Sequence, residues 1–219
     1  MLFQNREEAG KALAREFVGR EDLDKENTVV LAIPRGGVPV AYPVAQQLGC
    51  TLDIVVTRKI PAPGQEEFAI GAVAPDGQVV LDDDLVKRMG VTREYLSRQV
   101  KIKRREIDER LAKYRHRDTY PTIPGRQVVL VDDGVATGST IMAAAGLLRS
   151  RGAGKIIIAV PVAPPETLST LRAAADSVHC IHTPIPFWAV GQYYVDFTET
   201  SDQEVKDLLV RAASWGDDD

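Results

Sequence analysis

Two adjacent carboxylates, Asp132 and Asp133, close the apolar run Val128-Val129-Leu130-Val131 and precede Gly134-Val135-Ala136-Thr137-Gly138-Ser139-Thr140. The apolar run predicts a buried strand that delivers both acids to its carboxyl end, the edge at which open α/β sheets bind ligands. A small-residue loop then opens a helix. Backbone N–H groups from Ala136 to Thr140, with the hydroxyls of Thr137, Ser139 and Thr140, would cradle a phosphate group. Carboxylates beside such a cradle repel an anion, so sugar hydroxyls and a divalent cation are their natural partners. The plain alternative is an ordinary strand, turn and helix that happens to contain Asp-Asp. Neither the Gly-Lys-Ser/Thr ending of a P-loop nor Gly-x-Gly-x-x-Gly is present.

The elements that must position these groups follow from hydrophobic period. Strands are expected at Thr28–Ile33, Asp53–Thr57, Phe68–Ala74, Gln78–Leu81, Gln127–Val131, Ile156–Val162 and Ser177–Ile181. Helices lie between them, so the fold class is α/β, a doubly wound, mainly parallel sheet. Asn5 with Glu8, and Ser201 with Glu204, read as capping boxes before apolar stripes at helical spacing. Gly138 to Arg151 ends at Gly152, and Pro165 starts a helix to Ala175. Thr92–Asp118 breaks the alternation: ten basic residues stand against five acidic ones, with Leu96, Val100, Ile107, Leu111 and Tyr114 on one helical stripe. Residues 82–120 therefore read as a basic helical insertion, and 1–81 with 121–219 as the core.

Val128–Thr140 resembles the 5-phosphoribosyl 1-diphosphate (PRPP) signature of type I phosphoribosyltransferases. In that family the acid pair holds the ribose 2′- and 3′-hydroxyls and the loop wraps the 5′-phosphate, so the resemblance implies PRPP contacts at Asp132, Asp133, Ala136, Thr137, Gly138, Ser139 and Thr140. It also implies Mg2+, held by PRPP oxygens with Asp132 and Asp133 in its shell directly or through water. Pro34-Arg35-Gly36-Gly37 matches the family's pyrophosphate loop, in which Gly36 and Gly37 admit backbone amides to the anion and Arg35 adds a fork of donors.

Arg58-Lys59 followed by Pro63-Gly64 stands where the family has a lid and is similar to adenine phosphoribosyltransferases, one residue shorter between the pairs; a solvated charged loop is the alternative. The resemblance makes Arg58 and Lys59 stabilisers of the leaving pyrophosphate and Glu67, or its neighbour Glu66, the carboxylate that handles the base proton. Pro186 to Phe197 resembles the base-binding stretch of the purine enzymes, which puts Phe187, Trp188 and Val190 at the acceptor within a small C-terminal hood. Buried core aromatics are the alternative there. One extra residue between Gly191 and Asp196 departs from the pattern. In 6-oxopurine enzymes an Asp precedes Thr-Gly where this chain has Ala136, so the expected acceptor is a nitrogenous base other than hypoxanthine or guanine. Pro34–Pro39, Ala69–Val73 and Pro161–Thr167 further resemble phosphoribosyltransferases of unsettled acceptor, some joined to an α/β-hydrolase domain for which this length leaves no room.

Composition narrows the remaining choices. The 219 residues carry 27 Lys+Arg against 31 Asp+Glu, net −4, with 44% hydrophobic residues. That excludes a disordered or collagen-like chain and argues against a general nucleic-acid binder. Two cysteines, Cys50 and Cys180, suit a reducing compartment, and the absence of a long apolar run leads to the expectation of a cytoplasmic protein without a membrane segment. His179-Cys180-Ile181-His182 reads as a strand end rather than a metal site, and Asp82-Asp83-Asp84 as helix capping. Besides the transferase, two readings stay open: a PRPP sensor that contacts RNA, DNA or a protein through the basic insertion, and a receiver-type signalling module. The resemblance also implies a homodimer.

Overall fold

Thr28–Ala32, Gln127–Val131 and Lys155–Val162 are almost uninterrupted Val, Ile, Leu and Ala, the composition of strands covered on both faces. In the computed structural model they lie side by side. The structure describes residues 2–73, 79–114 and 121–216, with the side chains of these except at 66, 67, 80 and 216. Along the chain run α1 (Arg6–Arg15), β1 (Thr28–Ala32), α2 (Gly37–Leu48), β2 (Thr51–Ile54), β3 (Arg58–Ala62), β4 (Gln65–Val73), β5 (Val79–Leu81) and α3 (Asp83–Arg88). There follow α4 (Arg93–Tyr114), β6 (Gln127–Val131), α5 (Ser139–Ser150), β7 (Lys155–Val162), α6 (Pro165–Ala174), β8 (Ser177–His182) and α7 (Asp202–Ala213).

The described residues form two compact units, one running to Val55 and resuming at Tyr114, the other spanning Val56–Lys113. In the first, five strands pair in the order β2-β1-β6-β7-β8, all parallel. From β1 the chain winds outward to β2, and from β6 it winds the other way through β7 to β8. Right-handed crossovers then put α2 on one face and α5 and α6 on the other. Helices α1 and α7 pack with α2. The expected caps are formed: Asn5 Oδ1 accepts the Glu8 N–H at 2.9 Å, and Ser201 Oγ that of Glu204 at 3.1 Å.

The second unit corrects the expected placement of two strands. Phe68–Val73 and Val79–Leu81 lie apart from the parallel sheet, in an antiparallel sheet of order β3-β4-β5, while Ala74 and Gln78 fall outside the described residues. Only Pro63 and Gly64 separate β3 from β4, and so short a connection allows antiparallel pairing alone. The segment expected to be a lid loop, or in the alternative a solvated charged loop, has the conformation of a hairpin, and the expected strand Asp53–Thr57 is replaced by β2 ending at Ile54. The unit also starts before residue 82, where the insertion was expected to begin. Within it Asp82 Oδ1 caps α3 by accepting the Leu85 N–H at 2.9 Å. Helix α4 buries Ile107 completely and leaves Leu96, Val100 and Leu111 half-buried, as the stripe requires. Among the described residues, no helix is long and apolar enough to cross a membrane.

Candidate active site

The winding reverses between β1 and β6, which makes their carboxyl ends the ligand crevice of an open sheet. Ala32 pairs with Val131, and the Ile33 N–H donates to Val131 O at 2.9 Å, so the loops after the two strands leave the sheet together. One loop is Ile33-Pro34-Arg35-Gly36, with a cis Pro34–Arg35 peptide; the other is Asp132-Asp133-Gly134. Gly36 and Gly37 allow this closeness. A Cβ on Gly36 would overlap Asp133 Oδ2, and one on Gly37 would lie 2.8 Å from Val131 O.

The acid pair is held from several sides. Asp132 Oδ1 accepts the Asp133 N–H at 2.9 Å. Asp133 Oδ2 accepts from Arg6 Nε at 2.8 Å, and the Asp133 carbonyl accepts from the Tyr194 hydroxyl at 2.5 Å. Burial, and after it the adjacent Asp133 charge, holds the Asp132 carboxyl well above the usual carboxylate range. Burial also raises Asp133, against the opposing pull of Arg6. The Tyr194 hydroxyl is raised by burial first and the Asp133 charge second. Two half-buried carboxylates that resist ionisation fit a cation or hydroxyl donors brought by a ligand. A pair of carboxylates suits Mg2+, which accepts one or two carboxylates and completes its shell with water and phosphate oxygens.

The loop from Ala136 to Thr140 ends in α5 as expected, except that α5 starts at Ser139 with Gly138 as its N-cap, at φ 80°. That left-handed conformation favours glycine and turns the loop into the helix N-terminus. Thr167 Oγ1 donates to Ala136 O at 2.6 Å and fixes the loop from α6. Ala136, Thr137 and Thr140 are exposed, Ser139 half-buried and Gly138 buried.

Arg35 belongs to this crevice but faces acids: its guanidinium pairs with Glu199, and Nη1 lies 3.5 Å from Asp202 Oδ1. Val190 belongs here too, since a Cβ on Gly134 would lie 2.5 Å from its Cγ1. Phe187 stacks on Tyr193 with ring centroids 5.4 Å apart, whereas Trp188 is 76% exposed, so it is not the core aromatic of the alternative reading. Asp196 accepts from the Thr198 N–H at 2.9 Å and hydroxyl at 2.6 Å, which makes it part of a turn.

Arg58 and Lys59 lie on β3 in the second unit. Arg58 Nε donates to Glu106 Oε2 at 3.1 Å, and Glu106 also accepts from Lys103 at 2.7 Å. Lys59 is exposed. Glu67 lies on β4, with its side chain outside the described set, as is that of Glu66. The His179–His182 stretch diverges, as expected of a strand: His179 meets Arg20 at 2.9 Å, while the Cys180 thiol, pushed up to about 11 by burial, points to His182 O.

Arg6 and Tyr194 were not anticipated. Phe3 bridges to Tyr194, exchanging backbone bonds with Tyr193 and Val195 at 2.8 Å each, so the hood is built from both ends of the chain. The one local sign was Arg6 itself, a cation at the first position of a helix, where the dipole opposes it.

A parallel α/β domain with an acid pair and a helix N-terminus at its switch point belongs to the class of open sheets that bind ligands at the carboxyl ends of their strands. Within that class, the chain belongs to the phosphoribosyl transferase domain family, whose model matches residues 2–198. A protein of Mycobacterium tuberculosis (strain H37Rv) that carries the name of a phosphoribosyl transferase is 42% identical over 212 residues, covering 96% of this chain and 47% of that protein. The chain thus spans about half the length of the curated relatives it matches at this extent. An adenine phosphoribosyltransferase of Sphingopyxis alaskensis is 41% identical over 58 residues, 26% of this chain and 32% of that one. The crystal structure of TT1426 from Thermus thermophilus is 41% identical with a TM-score of 0.86, and covers 96% of this chain and 99% of that one.

Proposed function

We propose that the protein transfers the 5-phosphoribosyl group of PRPP to a nitrogenous base and releases pyrophosphate. The observation that carries this reading is the half-buried Asp132–Asp133 pair beside the Gly138 helix N-terminus, since a carboxylate pair next to an anion cradle suits a phosphorylated sugar diol. Asp132 and Asp133 accept the ribose hydroxyls and would hold Mg2+, whose charge, when bound, offsets that of the pyrophosphate. Residues 136–140 take the 5′-phosphate, and Arg35 with Gly36 and Gly37 the pyrophosphate. Arg58 and Lys59 are assigned to the negative charge that builds on the leaving group, Glu67 to the base proton, and Phe187, Trp188 and Val190 to the base. Ala136 in place of an Asp makes hypoxanthine and guanine poor acceptors.

A panel of nucleobases incubated with PRPP and MgCl2, followed by pyrophosphate release, tests this. Turnover with a base other than hypoxanthine or guanine is expected. Magnesium-dependent PRPP binding with no turnover on any base would replace the transferase by a PRPP sensor, the reading that the basic face of α4 favours.

Glu199 is 77% exposed and competes with any anion for Arg35. Exposed ion pairs contribute about 1 kcal/mol or less, so Glu199→Gln is expected to tighten binding of Mg-pyrophosphate up to about fivefold by titration calorimetry. Unchanged or weaker binding would remove Arg35 from the pyrophosphate site.

A further inference from the structure

Arg6 is placed against local preference. It is the first residue of α1, at the positive end of the helix dipole, where a cation is disfavoured and where Glu7 and Glu8 follow as the dipole prefers. Its side chain is nonetheless 11% exposed and fully engaged: Nε on Asp133 Oδ2 at 2.8 Å, Nη1 on Thr198 O at 2.7 Å, and the guanidinium carbon 3.9 Å from the centroid of the Phe197 ring. Groups that break a local rule and are held this firmly belong to functional sites more often than to the scaffold. Among the described residues no second cation is bonded to the acid pair.

The charge count then has a chemical consequence. Once ionised by an arriving cation, Asp132 and Asp133 alone would present two negative charges in a half-buried place, a strong trap for a bare divalent cation. With Arg6 bonded to Asp133 the cluster presents one, and one Asp133 oxygen is already occupied. A neutral sugar diol is still well matched by the remaining carboxylate oxygens. A bare Mg2+ ion, which gives up its water reluctantly, is not.

We infer that Arg6 is a positioning residue that sets the charge of the acid pair, so that the divalent cation enters only with the phosphorylated ligand and not alone. The inference rests on the proposed PRPP site for its meaning, but its test reads the cation alone.

Titration of the folded protein with MgCl2, and with Mn2+ followed by its paramagnetic resonance, in the absence of PRPP, compares the wild type with Arg6→Gln and Arg6→Lys. Gln keeps a hydrogen-bond donor and drops the charge; Lys keeps the charge. The wild type and Arg6→Lys are expected to show weak binding, and Arg6→Gln a gain of about tenfold or more, the size of one added charge at contact range in a partly screened site. The double variant Arg6→Gln/Asp133→Asn restores a single negative charge and is expected to lose that gain even if it is less stable. Equal cation affinity in the wild type and Arg6→Gln overturns the inference, as does a gain in Arg6→Lys equal to that in Arg6→Gln. Absence of PRPP binding by the wild type, measured separately, overturns the transferase reading and leaves the bare-cation result to decide the role of Arg6.

Discussion

Asp132→Asn is expected to weaken PRPP binding about a hundredfold and, in the same protein without ligand, to raise the melting temperature. The two effects have one cause. Asp132 is largely desolvated beside a second carboxylate, so ionising it is unfavourable in the fold, and its acidity is depressed accordingly. Asn keeps the oxygen that accepts the Asp133 N–H and removes the repulsion. A gain of about 1 kcal/mol would move the melting point of a chain this size by about 2–4 °C. The loss of binding follows from a charged acceptor becoming a neutral one, worth about 1.5–3 kcal/mol for a hydrogen bond to a charged group.

The pH dependence fixes the sign. In the unfolded chain both carboxyls lose their protons near pH 4. In the folded protein they titrate higher, so above about pH 4 the fold retains protons that the unfolded chain has released. Stability therefore declines as pH rises through the folded values and stays low above them. Asp132→Asn should flatten this decline. Thermal scans from pH 4 to 8 with parallel PRPP titrations measure both arms, and a variant that loses stability together with PRPP affinity would show that the pair is structural.

Much of this site was legible because it is local. Strand β6, the acid pair, the loop and α5 lie within one short stretch, and each follows from a pattern that needs no distant partner. Helices α1 and α7 were legible through their caps. The grip on the pair was not, since Arg6 lies 127 positions from Asp133 and Tyr194 lies 61 positions from it, and neither spacing leaves a periodic trace. The same limit applies to β4 and β5. Their apolar runs announce strands, but pairing partners are set by connection length, and the Pro63-Gly64 turn that decides the matter was read as part of a lid. Arg35 illustrates a third case: its position after β1 was readable, whereas its engagement with Glu199 and Asp202 depends on where the hood returns to the sheet.

Gly36→Ala and Gly37→Ala are expected to fail in different ways, although the residues are adjacent. Gly36 has ordinary helical dihedrals, φ −59° and ψ −30°, so alanine meets no backbone obstacle there. Its Cβ would instead displace the Asp133 carboxylate and approach Arg6 Nε to 3.1 Å. A carboxylate can rotate away, so Gly36→Ala should fold with little loss of stability while the Arg6–Asp133 bond breaks and PRPP affinity falls about tenfold or more. At Gly37 the added Cβ would lie 2.8 Å from Val131 O and 3.1 Å from Asp132 Cα. Those are main-chain atoms of the last residue of β6 and of the residue after it, which cannot rotate away without moving the strand end. Overpacking of this kind costs about 1–3 kcal/mol, so Gly37→Ala should lower the melting temperature by several degrees. Melting curves and PRPP titrations on both variants separate the two. If Gly36→Ala binds PRPP as the wild type does, the Asp133 carboxylate is not a ligand-holding group, and the anion loop and the acid pair act independently.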